Sequence, residues 1–285
     1  MSDPTLPRFV VIGAVKAATT WTAHQLRQHP QLWLPDAEPH YFSSEYDRGS
    51  DWYRGLFSDA PVGRILGEKS ADYLAHPDAP VRLARMLPHA ALIAQLRNPI
   101  ERAYSDYCML FRRGMVSANI ERSLTRPGPA ETRFLEGGLY AEHIRRWRDH
   151  FPAARILAIL VEEIEADPAG VIGQVCRHIG VEPRFQQSAL AERKNDSTAP
   201  MLPLTMRRAL RPFRPLLDPL RTNPVLARLR RSMVAPVHYP PLTPDLRARL
   251  RSYYRDDIGR TADLLGRNLD RWLDDDDGVL GAAAA

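Results

Sequence analysis

The sequence predicts a single α/β domain over residues 1–285, with a central parallel sheet flanked by helices and a phosphate-binding loop after the first strand. Three observations predict it. Arg8-Phe-Val-Val-Ile-Gly13 and Ala91-Leu-Ile-Ala-Gln-Leu96 are unbroken apolar runs of strand length, as strands buried on both faces require. Strand-like runs alternate with helical patterns along the chain, which favours parallel pairing through helical crossovers. Between the first run and the first helix lies a turn of small residues carrying a lysine.

The elements follow in order. After the strand ending at Gly13, residues Ala14 to Thr19 form the turn, and Thr20 to Gln28 a helix that stops near His29-Pro30. Ile65-Leu66 is a short strand. Ala91–Leu96 is a buried one, running into Arg97-Asn98-Pro99. There Asn98 suits the N-cap, Pro99 the first helical position and Glu101 a capping box, so a helix reaches about Arg112. Tyr140 to His150 reads as a helix and Ile156 to Val161 as a strand. Asp167-Pro168 then opens a helix ending at Ile179 and Gly180. Met115 to Gly138, polar and broken by Pro and Gly, reads as a surface loop. Residues 202–233 form an Arg-rich helical segment, 245–273 are strongly periodic, and 275–285 are expected to be disordered.

Charge and composition narrow the function. The formal net charge is +5, carried by 39 Lys and Arg residues, of which only Lys16, Lys69 and Lys194 are lysines. Where arginine serves nearly every basic position, a lysine marks places where a compact ammonium suits and a forked guanidinium does not. Cys108 and Cys176 have no metal-ligand or CxxC spacing and read as reduced core thiols, so no metal is expected. The N-terminus lacks a basic region followed by an apolar one, and no run approaches a membrane span. A cytoplasmic protein that does not bind nucleic acid is expected. Eight arginines between Arg207 and Arg231, interleaved with prolines, read as a lid, an acceptor-binding segment, a peripheral contact with anionic membranes, or a plain solvated basic face.

The strongest local signal is Gly13-Ala-Val-Lys16-Ala17-Ala18-Thr19-Thr20-Trp21. A strand, a small-residue turn and hydroxyl residues opening a helix make an anion site, with backbone N–H groups and the helix dipole aimed at the charge. Lys16 stands three residues ahead of Thr19, so the G-x-x-x-x-G-K-[ST] signature of kinases is not met, and no G-x-G-x-x-G is present. The second signal is Arg97 at a strand end with Ser105 in the following helix, a guanidinium fork and a hydroxyl suited to one phosphate.

Together these segments resemble the PAPS-dependent sulfotransferases, whose 5′-phosphosulfate loop has the usual form K-x-G-T-T and whose 3′-phosphate segment contains R-N-P with a following serine. The departure is Ala18 where Gly is commoner; a left-handed conformation there would strain alanine. Ala37-Glu38-Pro39-His40-Tyr41-Phe42, Asp51-Trp52-Tyr53 and Gly67-Glu68-Lys69-Ser70-Ala-Asp-Tyr73 resemble most the domains acting on heparan sulfate. The helix Gly138-Leu-Tyr140-Ala-Glu-His143-Ile-Arg-Arg-Trp147 fits too, with His143 and Trp147 as packing residues.

The resemblance implies sulfonate transfer from 3′-phosphoadenosine-5′-phosphosulfate (PAPS) to a hydroxyl of a saccharide or glycoconjugate, without metal. It implies Lys16, Ala17, Ala18, Thr19, Thr20, Arg97 and Ser105 as cofactor-binding, and Trp21 either against the adenine or packed on the core. Glu68 would be the general base, Lys16 and Lys69 would neutralise developing charge, and His40 would be a rival base or a pocket residue. Arg193-Lys194 falls where the family closes a basic loop on the 3′-phosphate, although the usual K-G-R triplet is absent. Two readings compete: a nucleotide-dependent kinase with a degenerate P-loop, and a non-catalytic anion- or polysaccharide-binding module. The first should show an acidic Mg²⁺ ligand in Walker spacing, and the second has no need of Glu68.

Overall fold

A computed structural model describes residues 3, 5–125, 132–185 and 237–274. The Arg193-Lys194 pair, the Arg-rich segment 202–233 and the tail 275–285 lie outside the described residues.

Five strands form one sheet: β1 (Phe9–Gly13), β2 (Leu32–Trp33), β3 (Ile65–Lys69), β4 (Ala91–Leu96) and β5 (Ile156–Leu160). Their order is β2-β3-β1-β4-β5 and every pair is parallel. β1 and β4 are buried along their whole length, which is why their sequences read as continuous apolar runs. The chain passes from β3 on one side of β1 to β4 on the other. The carboxyl ends of these three adjacent strands therefore open where the winding reverses, the place where ligands of open α/β sheets bind.

The main helices are α1 (Thr19–Arg27), α2 (Ser50–Gly55), α3 (Ala79–Met86), α4 (Pro99–Arg112), α5 (Ile120–Thr125), α6 (Arg133–Glu136), α7 (Tyr140–Arg148), α8 (Val161–Ala166), α9 (Pro168–Ile179) and α10 (Pro244–Leu265). The predicted caps form. Asn98 Oδ1 accepts from Ile100 N at 3.0 Å, and Asp167 Oδ1 accepts from Gly170 N at 2.8 Å. Gly180 closes α9 in the left-handed conformation at φ 89°. The short strand expected at Ile65-Leu66 extends to Lys69, because pairing with β1 carries the ladder that far.

Contacts divide the chain into two compact units. The first takes Met1–Arg102, Glu136–Lys194 and Tyr254–Leu273. Its core packs Phe9, Val11, Ile93 and Ile159 of the sheet against Leu26 of α1 and Val171, Val175 and Ile179 of α9. Trp147 is fully buried and donates from Nε1 to Leu74 O at 3.1 Å; His143 is buried as well, as expected of packing residues. The described residues of the second unit are 103–125, 132–135, 237–253 and 274. In it Arg133 grips the buried Asp106 with two bonds of 3.0 and 2.8 Å, and Tyr107 stacks on Phe111. Here the structure corrects the expected loop over Met115–Gly138. Its described residues include α5 and α6, whose Ile120, Leu124, Phe134 and Leu135 are buried. Such short helices gain little from propensity and form because packing covers a few apolar residues. Both cysteines are buried thiols, not joined in a disulfide. Among the described residues no helix is long and apolar enough to cross a membrane.

Candidate active site

The loop from β1 to α1 is the anion cradle. Lys16 and Ala18 both have positive φ, at 71° and 60°. A left-handed residue among turn residues gathers N–H groups into the kind of concavity that holds phosphates. Among the described residues no side chain caps α1, and its first turn has no acid, so its positive end suits an anion. Gly13 is obligatory: its φ is +137°, and a Cβ there would lie 2.4 Å from Ala71 O. Ala18 at φ 60°, ψ 17° is the strained alanine that the sequence pointed to. A left-handed alanine costs about 1–2 kcal/mol, partly offset by the extra freedom glycine gives the unfolded chain. Ala18→Gly is therefore expected to raise stability by about 0.5–1 kcal/mol, read as a Tm rise of about 1–4 °C in calorimetry.

Arg97 reaches this loop. Its Nη1 donates to Lys16 O at 3.4 Å, although 81 residues separate them, and its own carbonyl accepts from Tyr140 Oη at 2.8 Å. Burial pushes the Tyr140 hydroxyl up to about 12, so it stays a donor throughout the useful pH range. Beside the cradle, Gln95 O accepts from Ala14 N at 2.7 Å, while the fully buried Gln95 amide has no hydrogen-bond partner among the described residues. Thr19 is buried and Thr20 half-buried at the start of α1, and Ala17 is buried in the turn. Trp21 is half-buried and packs on the α1–α9 core. Ser105 is buried further along α4, in the second unit.

The carboxylates separate sharply. Glu68 is 0% exposed. It accepts from Tyr53 Oη at 2.6 Å, Ser70 Oγ at 3.0 Å and Tyr73 Oη at 3.2 Å. Tyr53 is itself stacked on Tyr41, and Phe42 lies edge-on to Tyr53 and Tyr73, so an aromatic box closes round the carboxyl. Burial pushes its pKa up to about 7, against the pull of those hydroxyls. Glu68 and Lys69 are consecutive in β3, so their side chains leave on opposite faces. The carboxylate next to Lys69 in sequence is therefore not its partner in space.

That partner is Glu38. Lys69, 7% exposed, forms an ion pair with Glu38 Oε1, and Ala71 N donates to Glu38 Oε2 at 2.9 Å. Glu38 keeps 30% of its side chain exposed. Two residues on, His40 Nδ1 lies 2.7 Å from Asp72 Oδ1, both side chains being over a third exposed. The Asp72 bond holds the His40 imidazole above its ordinary value, against burial, with Glu38 and Glu68 adding to it. Burial pushes the Asp72 carboxyl up, but bonds from His40 and Ser43 outweigh it and hold the group low. His40 also has a left-handed backbone, φ 51°. Such strain costs about 1–3 kcal/mol, whereas an exposed ion pair returns about 0–1 kcal/mol. Donor atoms of Glu38, His40 and Asp72 fall within 4.8 Å of one another, a spacing a cation could use. Here they are engaged with Lys69, Ala71 N and each other.

The structure thus brings Lys16, Arg97, Lys69 and His40 to the carboxyl side of the sheet, with Glu68 beside them but closed off from solvent. Sequence reasoning quoted Glu38 within its segment but gave it no role; the available signal was its place two residues before His40.

A parallel sheet with an anion cradle after its first strand and basic side chains at the neighbouring strand ends defines an α/β protein built to hold a phosphorylated ligand. Residues 56–186 match the sequence model of the Sulfotransferase family. It is 35% identical over 180 residues to heparan sulfate glucosamine 3-O-sulfotransferase 6 of Mus musculus, covering 62% of this chain and 53% of that protein. It is 31% identical over 293 residues to bifunctional heparan sulfate N-deacetylase/N-sulfotransferase 3 of Homo sapiens, covering 94% of this chain and 31% of that protein. The chain spans about half the length of the first of these and a third of the second. In fold it is similar to a sulfotransferase from Alicyclobacillus acidocaldarius, with a TM-score of 0.70 and 24% identity, covering 94% of this chain and 98% of that one.

Proposed function

We propose that the protein transfers the sulfonate of PAPS to a hydroxyl of a saccharide or glycoconjugate. The observation carrying this reading is the convergence of Lys16, Arg97 and the Glu38–Lys69 pair on the carboxyl ends of β1, β4 and β3. The left-handed cradle and uncapped α1 suit a phosphosulfate, and Arg97 at the loop suits a second phosphate. In the reaction the acceptor oxygen bonds to sulfur as the bond from sulfur to the 5′-phosphate oxygen breaks. The products are the sulfated acceptor, adenosine 3′,5′-bisphosphate and one proton.

Lys16 would offset charge growing on the leaving phosphate oxygen, and Lys69 that on the sulfonate. The proton is better assigned to Glu38 than to Glu68. Glu38 keeps 30% of its side chain open to solvent and lies against Lys69, whereas Glu68 is sealed behind three hydroxyls. Glu68 would instead support the site through Ser70, which bonds both Glu68 and His40 N. The resemblance to heparan-acting domains supports the saccharide acceptor and adds Ser105 and Arg193-Lys194 as cofactor contacts.

The test uses PAPS labelled with radioactive sulfur, chelator, and a panel of saccharides, glycolipids and phenols. Label should pass to a saccharide. Adenosine 3′,5′-bisphosphate should raise the melting temperature well above the shift given by AMP, and Lys16→Ala should lose most of that rise. No transfer to any acceptor, or equal shifts with both nucleotides, would sink the reading.

A further inference from the structure

His40 is placed by its backbone as well as by its ring. Its N–H donates to Ser70 Oγ at 3.0 Å. Its carbonyl accepts from Ser43 N at 3.2 Å, Glu45 N at 3.0 Å and Ser43 Oγ at 3.0 Å. Four hydrogen bonds thus hold a histidine in a left-handed conformation that non-glycine residues seldom adopt. The part-buried His40–Asp72 pair, with both side chains over a third open to solvent, returns little stability against that strain, and observed strain of this kind points to a functional constraint. Asp72 also lies beside the Ser43 hydroxyl, whose single proton can go either to it or to the His40 carbonyl, while the Ser43 N–H holds that carbonyl independently.

The ring's chemistry follows. With Nδ1 against a carboxylate, the stable tautomer carries its proton there, and a protonated ring offers Nε2–H as a second donor. Nε2 makes no hydrogen bond among the described residues. The charged groups facing the ring are Asp72, Glu38 and Glu68, with Lys69 engaged by Glu38. The Asp72 carboxylate bonded to Nδ1 is the main influence favouring the imidazolium, with smaller help from Glu38 and Glu68. A cation beside Glu38 would attract an anionic oxygen rather than compete for the acceptor's proton.

We propose that Asp72 is a positioning residue that holds His40 with Nδ1–H turned inward and Nε2–H presented to an anionic oxygen of the bound substrates. That oxygen belongs either to the sulfonate in transfer or to a carboxylate or sulfate already on the acceptor. The inference rests on the sulfonate-transfer reading. It removes His40 from competition as the base and gives the acceptor side a recognition element for negatively charged saccharides.

The test follows the His40 ring by ¹H–¹⁵N NMR, assigned by its loss in His40→Gln, in the wild-type protein, Asp72→Asn and Asp72→Glu. Asp72→Asn should lower the titration midpoint of His40 and change its tautomer. Turnover at neutral pH should fall about tenfold or more, the scale on which a partner orienting an imidazole acts. The alkaline limb of the pH–rate profile should move to lower pH, because the cation is lost as pH rises through the midpoint. Asp72→Glu should restore part of each effect. The melting shift with adenosine 3′,5′-bisphosphate should stay as in wild type, showing the cradle intact. A fall confined to kcat identifies the sulfonate; a rise in KM for a charged acceptor, absent with a neutral one, identifies the acceptor anion. An unchanged midpoint, or unchanged turnover in an active protein, overturns the positioning role alone. A wild-type protein that transfers no sulfonate overturns the reading beneath it.

Discussion

Glu38→Gln is expected to lower turnover by about 10²–10⁴-fold, the range in which a lost general base acts. The substitution keeps the shape of the side chain and lets Oε1 still accept from Lys69 or Ala71 N. What it removes is the ability to take the acceptor's proton as oxygen attacks sulfur. Nucleotide affinity should hold, because Lys16, Thr19, Thr20 and Arg97 are untouched, and the melting shift with adenosine 3′,5′-bisphosphate measures this directly. The paired control is Glu68→Gln. Its carboxyl meets Tyr53, Ser70 and Tyr73 and no solvent, so turnover at neutral pH should change far less. The reverse pattern, with Glu68→Gln inactive and Glu38→Gln near normal, would return the base to Glu68.

Glu68 should show itself in stability. Its folded pKa stands near 7, raised by burial from an ordinary value near 4.5. Below about pH 4.5 the carboxyl is protonated in both folded and unfolded chains, and its contribution is fully present. As pH rises towards 7 the unfolded chain ionises first, so that contribution drains away. The loss should reach about 2–3 kcal/mol by neutral pH. Denaturant titrations of wild type and Glu68→Gln across pH 4.5–7.5 should diverge by that amount, the glutamine protein having the flatter profile. Glu68→Ala is a different case. It opens a cavity and strips a shared acceptor from three hydroxyls, and should cost about 3 kcal/mol or more. Parallel pH profiles for wild type and Glu68→Gln would contradict the buried, proton-holding carboxyl.

Most of the scaffold was legible because its signals are local. β1 and β4 announce themselves as unbroken apolar runs, since both faces of a parallel strand are covered. Asn98, Asp167 and Gly180 mark helix ends through bonds and backbone angles that span only a few residues. The Met115–Gly138 segment was harder. Its helices rest on buried Ile120, Leu124, Phe134 and Leu135, too few apolar positions to make a periodic signal.

By itself the sequence determined the alternating α/β order, the lysine-bearing cradle after β1 and the arginine at the end of β4. Each depends on residues adjacent in the chain. Tertiary structure alone decided which carboxylate is sealed and which stays open to solvent. Glu68 and Lys69 are neighbours in sequence, but the strand's twofold alternation sends them to opposite faces. Tyr53 and Tyr73 then seal one, while Glu38, 31 residues away, pairs with the other. Strain at His40, and its Asp72 partner, belong to the same class. Solvation and proton affinity are set by what packs around a group, and packing joins residues distant along the chain.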